Sequence, residues 1–396
     1  MYHATSLASC FAFAITASLG ADVLNVPTDY TTIQAAIDAA DPGDTVLVAD
    51  GVYNEAIDLL GKAITVESVN GAESTMIDGT GINTSLIRCV SGEGADTIIR
   101  GLKVYKGVVG SDDFDPAIFT GGGMFVNGAS PTIDSMVFER CESAFGGGFY
   151  AYRSASVLTD CIFLRNYAAA NGGGAQIFLN DPATGVGVTL NNCVFSENAS
   201  VIYGGGIYAI QGDHTLNNCT FNANGRLYYA PFTPRTDFGG GIGWFAGLGT
   251  TLTIIDCDVA DNTAKDAGGG LWVRPGYATV EILDSTICDN TNPEVEGRYV
   301  DLGGNTICDC PADLNGDGIV DGADISGVIA FWGVCSTEDC DADINFDGII
   351  NGADLALLLS DWGICSPQPG LAREGMVRIG LRTKIGGPAA RTRPLR

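Results

Sequence analysis

The tightest constraint on this chain is a phrase that recurs down its middle. Residues 146–166 read GGGFYAYRSASVLTDCIFLRN: a triple glycine, two short segments of alternating apolar residues, and a closing Asn. Triple glycines begin at Gly121, Gly146, Gly172, Gly204, Gly239 and Gly268, followed by Met124, Phe149, Ala175, Ile207, Ile242 and Leu271. The second segment returns as Phe163-x-x-Asn166, Phe195-x-x-Asn198, Phe221-x-x-Asn224, Val259-x-x-Asn262 and Ile287-x-x-Asn290. A period of about 25 to 35 residues is the signature of a solenoid, in which each unit buries its apolar face only against its neighbours.

One register runs through the repeat. Leu102, Met136, Cys161, Cys193, Cys219, Cys257 and Ser285 are equivalent, and five residues later come Gly107, Cys141, Asn166, Asn198, Asn224, Asn262 and Asn290. Side chains alternate along a strand, so each Cys and the Phe two places on point into the same interior. A buried Phe or Val there contributes roughly 1.5–3 kcal/mol against the ordering entropy of its coil. Asn suits the turn because it tolerates left-handed backbone and can bond to the next turn, giving a ladder worth about 1 kcal/mol per bond. The Cys column reads as a stack of small buried hydrophobes, since no His accompanies it to complete a metal site. Cys288 and Cys308 differ. They sit in the matched phrases TICD at 286–289 and 306–309, and if Ile287 and Ile307 point inward both sulfurs point outward on adjacent coils, which predicts a disulfide.

Gly is 55 of 396 residues and only 17% are charged, which suits a turn-rich all-β body. The net charge of −27 argues against nucleic acid or an anionic membrane as partner. Residues 7–19 form an apolar run followed by Ser18, Gly20 and Ala21, the pattern of a secretory signal spanning 1–20. No other run is long enough for a membrane span. Export would permit disulfides among the cysteines after Cys10.

The mature chain opens with a short helix: Thr31 and Gln34 fit a capping box, Ile33, Ala36, Ile37 and Ala40 share one face, and Pro42-Gly43 ends it. Strand-like segments follow at 45–49 and 63–67. This order, in LNVPTDYTTIQAAIDAADPGDTVLVADGVYNE, resembles the N-terminal cap of right-handed parallel β-helix proteins of the pectin-lyase-like superfamily. The implied fold is all-β: a right-handed parallel β-helix over 21–307 with an N-terminal capping helix, then a small helical domain. Over 121–290 the GGG-apolar and Phe-x-x-Asn phrases also resemble repeats of the polymorphic membrane protein family, adhesins with β-helical passenger domains. Here a triple Gly stands where that family has Gly-Gly-Ala.

The helical domain is read over 308–365, where residues 309–335 repeat with a shift of 30 as 339–365. The pattern D-x-N-x-D-G-x-x-[DN]-x-x-D places oxygen ligands as a hard cation such as Ca²⁺ requires. The first set is Asp313, Asn315, Asp317, Asp321 and Asp324 with the carbonyl of Ile319. The second is Asp343, Asn345, Asp347, Asn351 and Asp354 with the carbonyl of Ile349. Asp at the twelfth position and a helix only after each loop make the module resemble a type I dockerin, implying two Ca²⁺ ions and a cohesin-like protein partner. A plain calcium-stabilised terminal module is the alternative. Cys310, Cys335, Cys340 and Cys365 flank the two halves symmetrically, with connectivity open. The tail 366–396 holds seven basic residues and one acid and reads as disordered.

For chemistry, Asp112, Asp113 and Asp115 form the one acidic cluster in the body that resembles a catalytic pair, and a solvated loop is the favoured reading. The Gly-His-Gly and Arg-x-Lys of polygalacturonase-like enzymes are absent from the body: His214 has no such frame, and Arg382-Thr383-Lys384 lies in the tail. No catalytic residue is assigned. A column one residue past each apolar position after the glycines, Phe125, Tyr150, Gln176, Tyr208, Gly243 and Trp272, is expected to face outward. Its aromatic members, Phe125, Tyr150, Tyr208 and Trp272, are candidate sugar-stacking residues, unless the insertions around 108–120 and 225–238 cover them. The sequence thus indicates a secreted or cell-surface β-helix that binds polysaccharide or another surface, carrying a calcium module. The alternative is a polysaccharide lyase or glycoside hydrolase.

Overall fold

The computed structural model describes residues 20–110, 121–181, 185–226, 236–245, 247, 249–274, 279–291, 293–297, 299–308, 312–315, 319–334, 342–344 and 348–364. The secretory-signal segment up to residue 19, the Asp112–Asp115 cluster, the four module cysteines and the tail lie outside the described residues.

One coil illustrates the rest. Phe149–Tyr152 is a strand, Val157–Thr159 a second and Ile162–Leu164 a third; after Asn166 the strand Tyr167–Asn171 leads to the next triple glycine. Successive coils stack in register, so Phe149 pairs with Ala175, Leu158 with Leu190 and Phe163 with Phe195, all in parallel. The result is a parallel β-helix whose three long sheets hold nine, eleven and ten strands among the described residues. Strands such as Tyr167–Asn171 add a shorter fourth sheet on the flank.

The interior is built as alternation predicts. Phe138, Phe163, Phe195 and Phe221 are fully buried and stack face to face at 5.0, 4.4 and 4.7 Å. Cys161, Cys193, Cys219 and Cys257 form a parallel column of buried free thiols. The asparagines make the expected ladder: Nδ2 of Asn166, Asn198, Asn224 and Asn262 each donates to Oδ1 of the next, at 3.0, 3.0, 2.9 and 2.8 Å. The last rung, Asn290, donates to the Glu294 carboxylate at 2.6 Å, which ends the ladder on a charge-assisted bond. The left-handed residue is not the Asn, however. It is the residue before it: Arg165, Glu197, Ala223, Asp261 and Asp289 have φ between 54° and 60°. The turn is made there, and the Asn that follows is thereby aimed along the solenoid axis.

The triple glycines have two physical reasons. Gly146 has φ +60°, and a Cβ on Gly147 would collide with the carbonyls of Tyr167 and Gly173 on the next coil. Neighbouring coils therefore approach more closely at this corner than any side chain permits.

At the N-terminal end the helix Ile33–Ala39 covers the open coil with Ile33, Ala36 and Ile37. Its N-cap is Thr32, not Thr31: the Thr32 hydroxyl accepts from the Ala35 N–H at 3.1 Å. The amides of Ile33 and Gln34, freed at the helix start, are taken by the Glu55 carboxylate at 2.9 Å each, and Lys62 caps the other end on the carbonyls of Ile37, Asp38 and Ala40. At the C-terminal end Cys288 and Cys308 form the expected disulfide across adjacent coils, with Cα atoms 4.8 Å apart.

A second body follows. Helices Gly322–Ala330 and Gly352–Ser360 share a small core of Ala312, Val320, Val328, Ala342, Ile344, Ile350 and Leu358. Two short antiparallel pairs, Ile319–Val320 with Gly363–Ile364 and Gly333–Val334 with Ile349–Ile350, tie the halves together.

Candidate functional site

In each half of the second body a carboxylate folds the loop onto its helix. Asp321 caps the first helix by accepting from Ala323 N–H at 2.7 Å. Asp324 closes the capping box on Asp321 N–H at 2.8 Å, and its other oxygen accepts from Leu314 and Asn315 N–H at 2.8 and 3.2 Å. In the second half Asn351 caps on Ala353 at 2.8 Å, Asp354 accepts from Asn351 N–H at 2.7 Å, and Asp343 accepts from Gly348 N–H at 2.8 Å. The Ile349 carbonyl accepts from Asn351 Nδ2 at 3.0 Å. Asp317, Asn345 and Asp347 lie outside the described residues, and among the described residues no three acidic, His or Cys side chains converge on one point.

Electrostatics decides what these loops need. Asp313, Asp324, Asp343 and Asp354 are 7, 1, 6 and 0% exposed. Residues 308–365 contain twelve acidic side chains and no Lys, Arg or His. Burying carboxylates is costly unless a countercharge is at hand, and the module's sequence supplies none. Backbone N–H groups offset part of the cost at Asp324. A hard divalent cation would supply the rest, and an all-oxygen donor set of Asp and Asn side chains fits one.

The aromatic column behaves differently from its expectation. Phe125, Tyr150, Tyr208 and Trp272 do lie on the outer face of their sheet, since their neighbours Met124, Phe149, Ile207 and Leu271 fill the core. They are nevertheless buried, at 8, 0, 3 and 8% exposure. Phe125 packs on Tyr150 at 5.8 Å, and Tyr203 stacks on both Tyr208 and Trp272 at 5.1 and 4.9 Å, with Phe238 beside Trp272 at 5.3 Å. Tyr203 and Phe238, which come just before the triple glycines at 204 and 239, lie against Tyr208 and Trp272, so these rings belong to a buried second apolar layer.

Two features escaped the sequence reading. Two residues beyond the buried column, with the same parity, Tyr152, Phe178, Ile210 and Phe245 stand in register and only half-buried. The alternation that marked the first column marks this one equally. On another corner Asp261 and Asp289, on successive rungs beside the ladder, share an open cleft of about 340 Å³ with Arg226, Thr263 and Thr291. The signal was the Asp-Asn pair repeated at 261–262 and 289–290.

Two further titratable groups, His214 and Cys141, are buried in the interior. His214 is 1% exposed, its Nδ1 accepts from Val188 N–H at 3.1 Å and its Nε2 donates to Gln211 O at 3.1 Å. Burial holds its pKa down at about 4, so the ring is neutral. Burial likewise pushes the Cys141 thiol up to about 12.

The sequence model of the right-handed β-helix region matches residues 68–226 and 175–323, and that of the dockerin type I domain matches residues 311–360. No curated protein matches the chain. Among solved structures the chain is similar to a pectin methylesterase from carrot, at 12% identity over 72% of this chain and 90% of that one, with a TM-score of 0.43. A pectin methylesterase from Aspergillus niger gives 13%, 73% and 89% with a TM-score of 0.43. An alginate lyase from Paenibacillus sp. str. FPU-7 gives 15%, 72% and 99% with a TM-score of 0.34.

Proposed function

The chain belongs to the right-handed β-helix family, and on that premise we propose that it is a secreted, surface-associated solenoid that engages polysaccharide and is held in place by a calcium-loaded C-terminal docking module. The observation that carries this reading is the module: paired loops with four buried carboxylates in a stretch that contains no basic residue. The ligand sets are Asp313, Asn315, Asp317, Asp321, Asp324 and the Ile319 carbonyl in one loop, and Asp343, Asn345, Asp347, Asn351, Asp354 and the Ile349 carbonyl in the other. Each set takes one Ca²⁺. The ion neutralises the loop and fixes the helix that follows, and those helices leave Phe331, Trp332 and Trp362 at 70, 52 and 53% exposure. An exposed aromatic set on a small module is what a protein partner of the cohesin kind would bury. The Cys288–Cys308 disulfide is consistent with an oxidising, extracellular setting.

The test is retention of the full chain on envelope fractions and on insoluble polysaccharide, in Ca²⁺ and in EDTA. Retention on the envelope lost in EDTA supports the docking role, and calcium-independent retention on polysaccharide supports the solenoid's role. Absence of both contradicts the reading.

A second reading, a polysaccharide-degrading enzyme, is favoured by the cleft that holds Asp261, Asp289 and Arg226, because two carboxylates on adjacent rungs could divide acid and base work. Incubation with pectin and alginate, measuring reducing ends and unsaturated sugars, decides it. Product that disappears in Asp261→Asn and Asp289→Asn would establish the enzyme; no product in the parent removes it.

A further inference from the structure

The sheet that carries the buried Phe125, Tyr150, Tyr208 and Trp272 has a second outward column that is only half-buried. Asn127 pairs with Tyr152, Tyr152 with Phe178, Phe178 with Ile210 and Ile210 with Phe245. Arg274 continues the column, following Val273, which pairs with Trp244. Asn127 and Arg274 are exposed, and the four residues between them are half-buried. Intervening residues Val126, Ala151, Ile177, Ala209 and Trp244 point into the core, so the backbone fixes the column outward.

We propose that this column, from Tyr152 through Phe178 and Ile210 to Phe245, is a docking strip for a neutral polysaccharide strand lying along the solenoid axis. The inference rests on the polysaccharide reading above and names its site. Three physical points carry it. The strip is linear, because one rung adds about 4.8 Å, so Tyr152 to Phe245 covers ~14 Å, the length of a short oligosaccharide. It is aromatic, with Tyr152 and Phe178 ring centroids 5.4 Å apart and tilted by 57°, so the two rings follow one another along one line. Its cations are already engaged: the Arg153 guanidinium lies 5.1 Å over the Tyr152 ring and that of Arg274 lies 3.9 Å over the Phe245 ring. These two arginines stiffen the strip and present N–H donors at its ends, where sugar hydroxyls accept. A polyanion would instead meet a chain of net charge −27.

The test is affinity electrophoresis of the full chain through gels containing hydroxyethylcellulose, a β-mannan, an arabinoxylan or polygalacturonate, in low and high salt and with Ca²⁺ present. The strip predicts retardation by at least one neutral polymer, unchanged by salt, and a loss of at least tenfold in affinity for Tyr152→Ala/Phe245→Ala. Phe178→Tyr should retain it. Should the double variant fold poorly by circular dichroism, Tyr152→Gln alone must lose at least threefold. Equal retardation of parent and variants overturns the strip while leaving the polysaccharide reading intact. Retardation by polygalacturonate alone, abolished by salt, overturns the neutral ligand. A parent that no polymer retards removes the polysaccharide reading and the strip with it.

Discussion

Replacing Asn198 by Ala tests the ladder as the source of the solenoid's cohesion. Asn198 is fully buried, and its amide makes four bonds. Oδ1 accepts from the Asn166 N–H and Nδ2 at 2.9 and 3.0 Å, while Nδ2 donates to Phe163 O at 2.8 Å and Asn224 Oδ1 at 3.0 Å. Not every partner is stranded: Asn224 Oδ1 keeps the Asn198 N–H at 3.0 Å, and Asn166 Nδ2 keeps Phe138 O at 2.9 Å. The Asn166 N–H and the Phe163 carbonyl lose the bonds that Asn198 made to them inside the solenoid. At about 1–3 kcal/mol per orphaned buried group, the expected loss is roughly 3–5 kcal/mol. Asn290→Ala at the end of the ladder should cost about half as much, because that residue is only half-buried and solvent can reach its partners. The assay is urea unfolding followed by the emission of buried Trp244, with amide exchange at Asn166 as the local readout. A loss below about 1 kcal/mol for Asn198→Ala, or one equal to that of Asn290→Ala, would refute the argument that buried satisfaction of polar groups holds the coils in register.

Other outcomes follow from single features. His214 has a folded pKa of about 4 against an ordinary value of 6.5, so the folded state binds fewer protons than the unfolded one between those values. Stability should therefore be fully present above pH 6.5 and fall as pH drops toward 4, by about 3 kcal/mol at most. His214→Gln should flatten that part of the melting-temperature profile of the solenoid, and an unchanged profile would assign the slope elsewhere. Reducing the Cys288–Cys308 bond, or replacing both residues by Ser, removes a cross-link of 20-residue separation worth on the order of 3 kcal/mol. Amide exchange in residues 295–308 should then rise ahead of the rest of the solenoid. Asp324→Ala removes the carboxylate that gathers three backbone N–H groups, and should abolish one of two calcium-binding events while leaving the solenoid's melt unchanged.

The coil register was legible because it repeats: a Cys, a Phe and an Asn at fixed spacing on three coils, with Val259 and Ile287 in the Phe place on two more, can satisfy alternation in only one way. The disulfide was legible for the same reason, since Cys288 and Cys308 sit in matched phrases. Local capping was less so. Thr31 and Thr32 are equally good caps in sequence, and the choice is made by Glu55, a residue in the later turn between the strands Gly51–Tyr53 and Ile57–Asp58 that takes the helix's first free amides. The aromatic column failed on a tertiary event. Parity placed Tyr150 and Tyr208 outside the core correctly, and the 225–238 insertion was the cover to watch, from which Phe238 does reach Trp272; nothing in the pattern announces that the ring of Tyr203 closes over Tyr208 and Trp272 as well. The column two residues along has the same parity and is only half-buried, a distinction that only packing makes. The cleft of Asp261 and Asp289 was hidden because Asp before a ladder Asn reads as turn chemistry, which it also is.

The most direct measurement of the central claim is calcium titration of the EDTA-stripped full chain by isothermal calorimetry, with Trp332 and Trp362 emission recorded in parallel. Saturable binding of two ions per chain is expected, one lost in Asp324→Ala, together with a change in emission from the module's exposed tryptophans. No heat and no spectral change would mean that the buried carboxylates of a base-free module are neutralised by some other means, and the calcium-dependent docking role would fall.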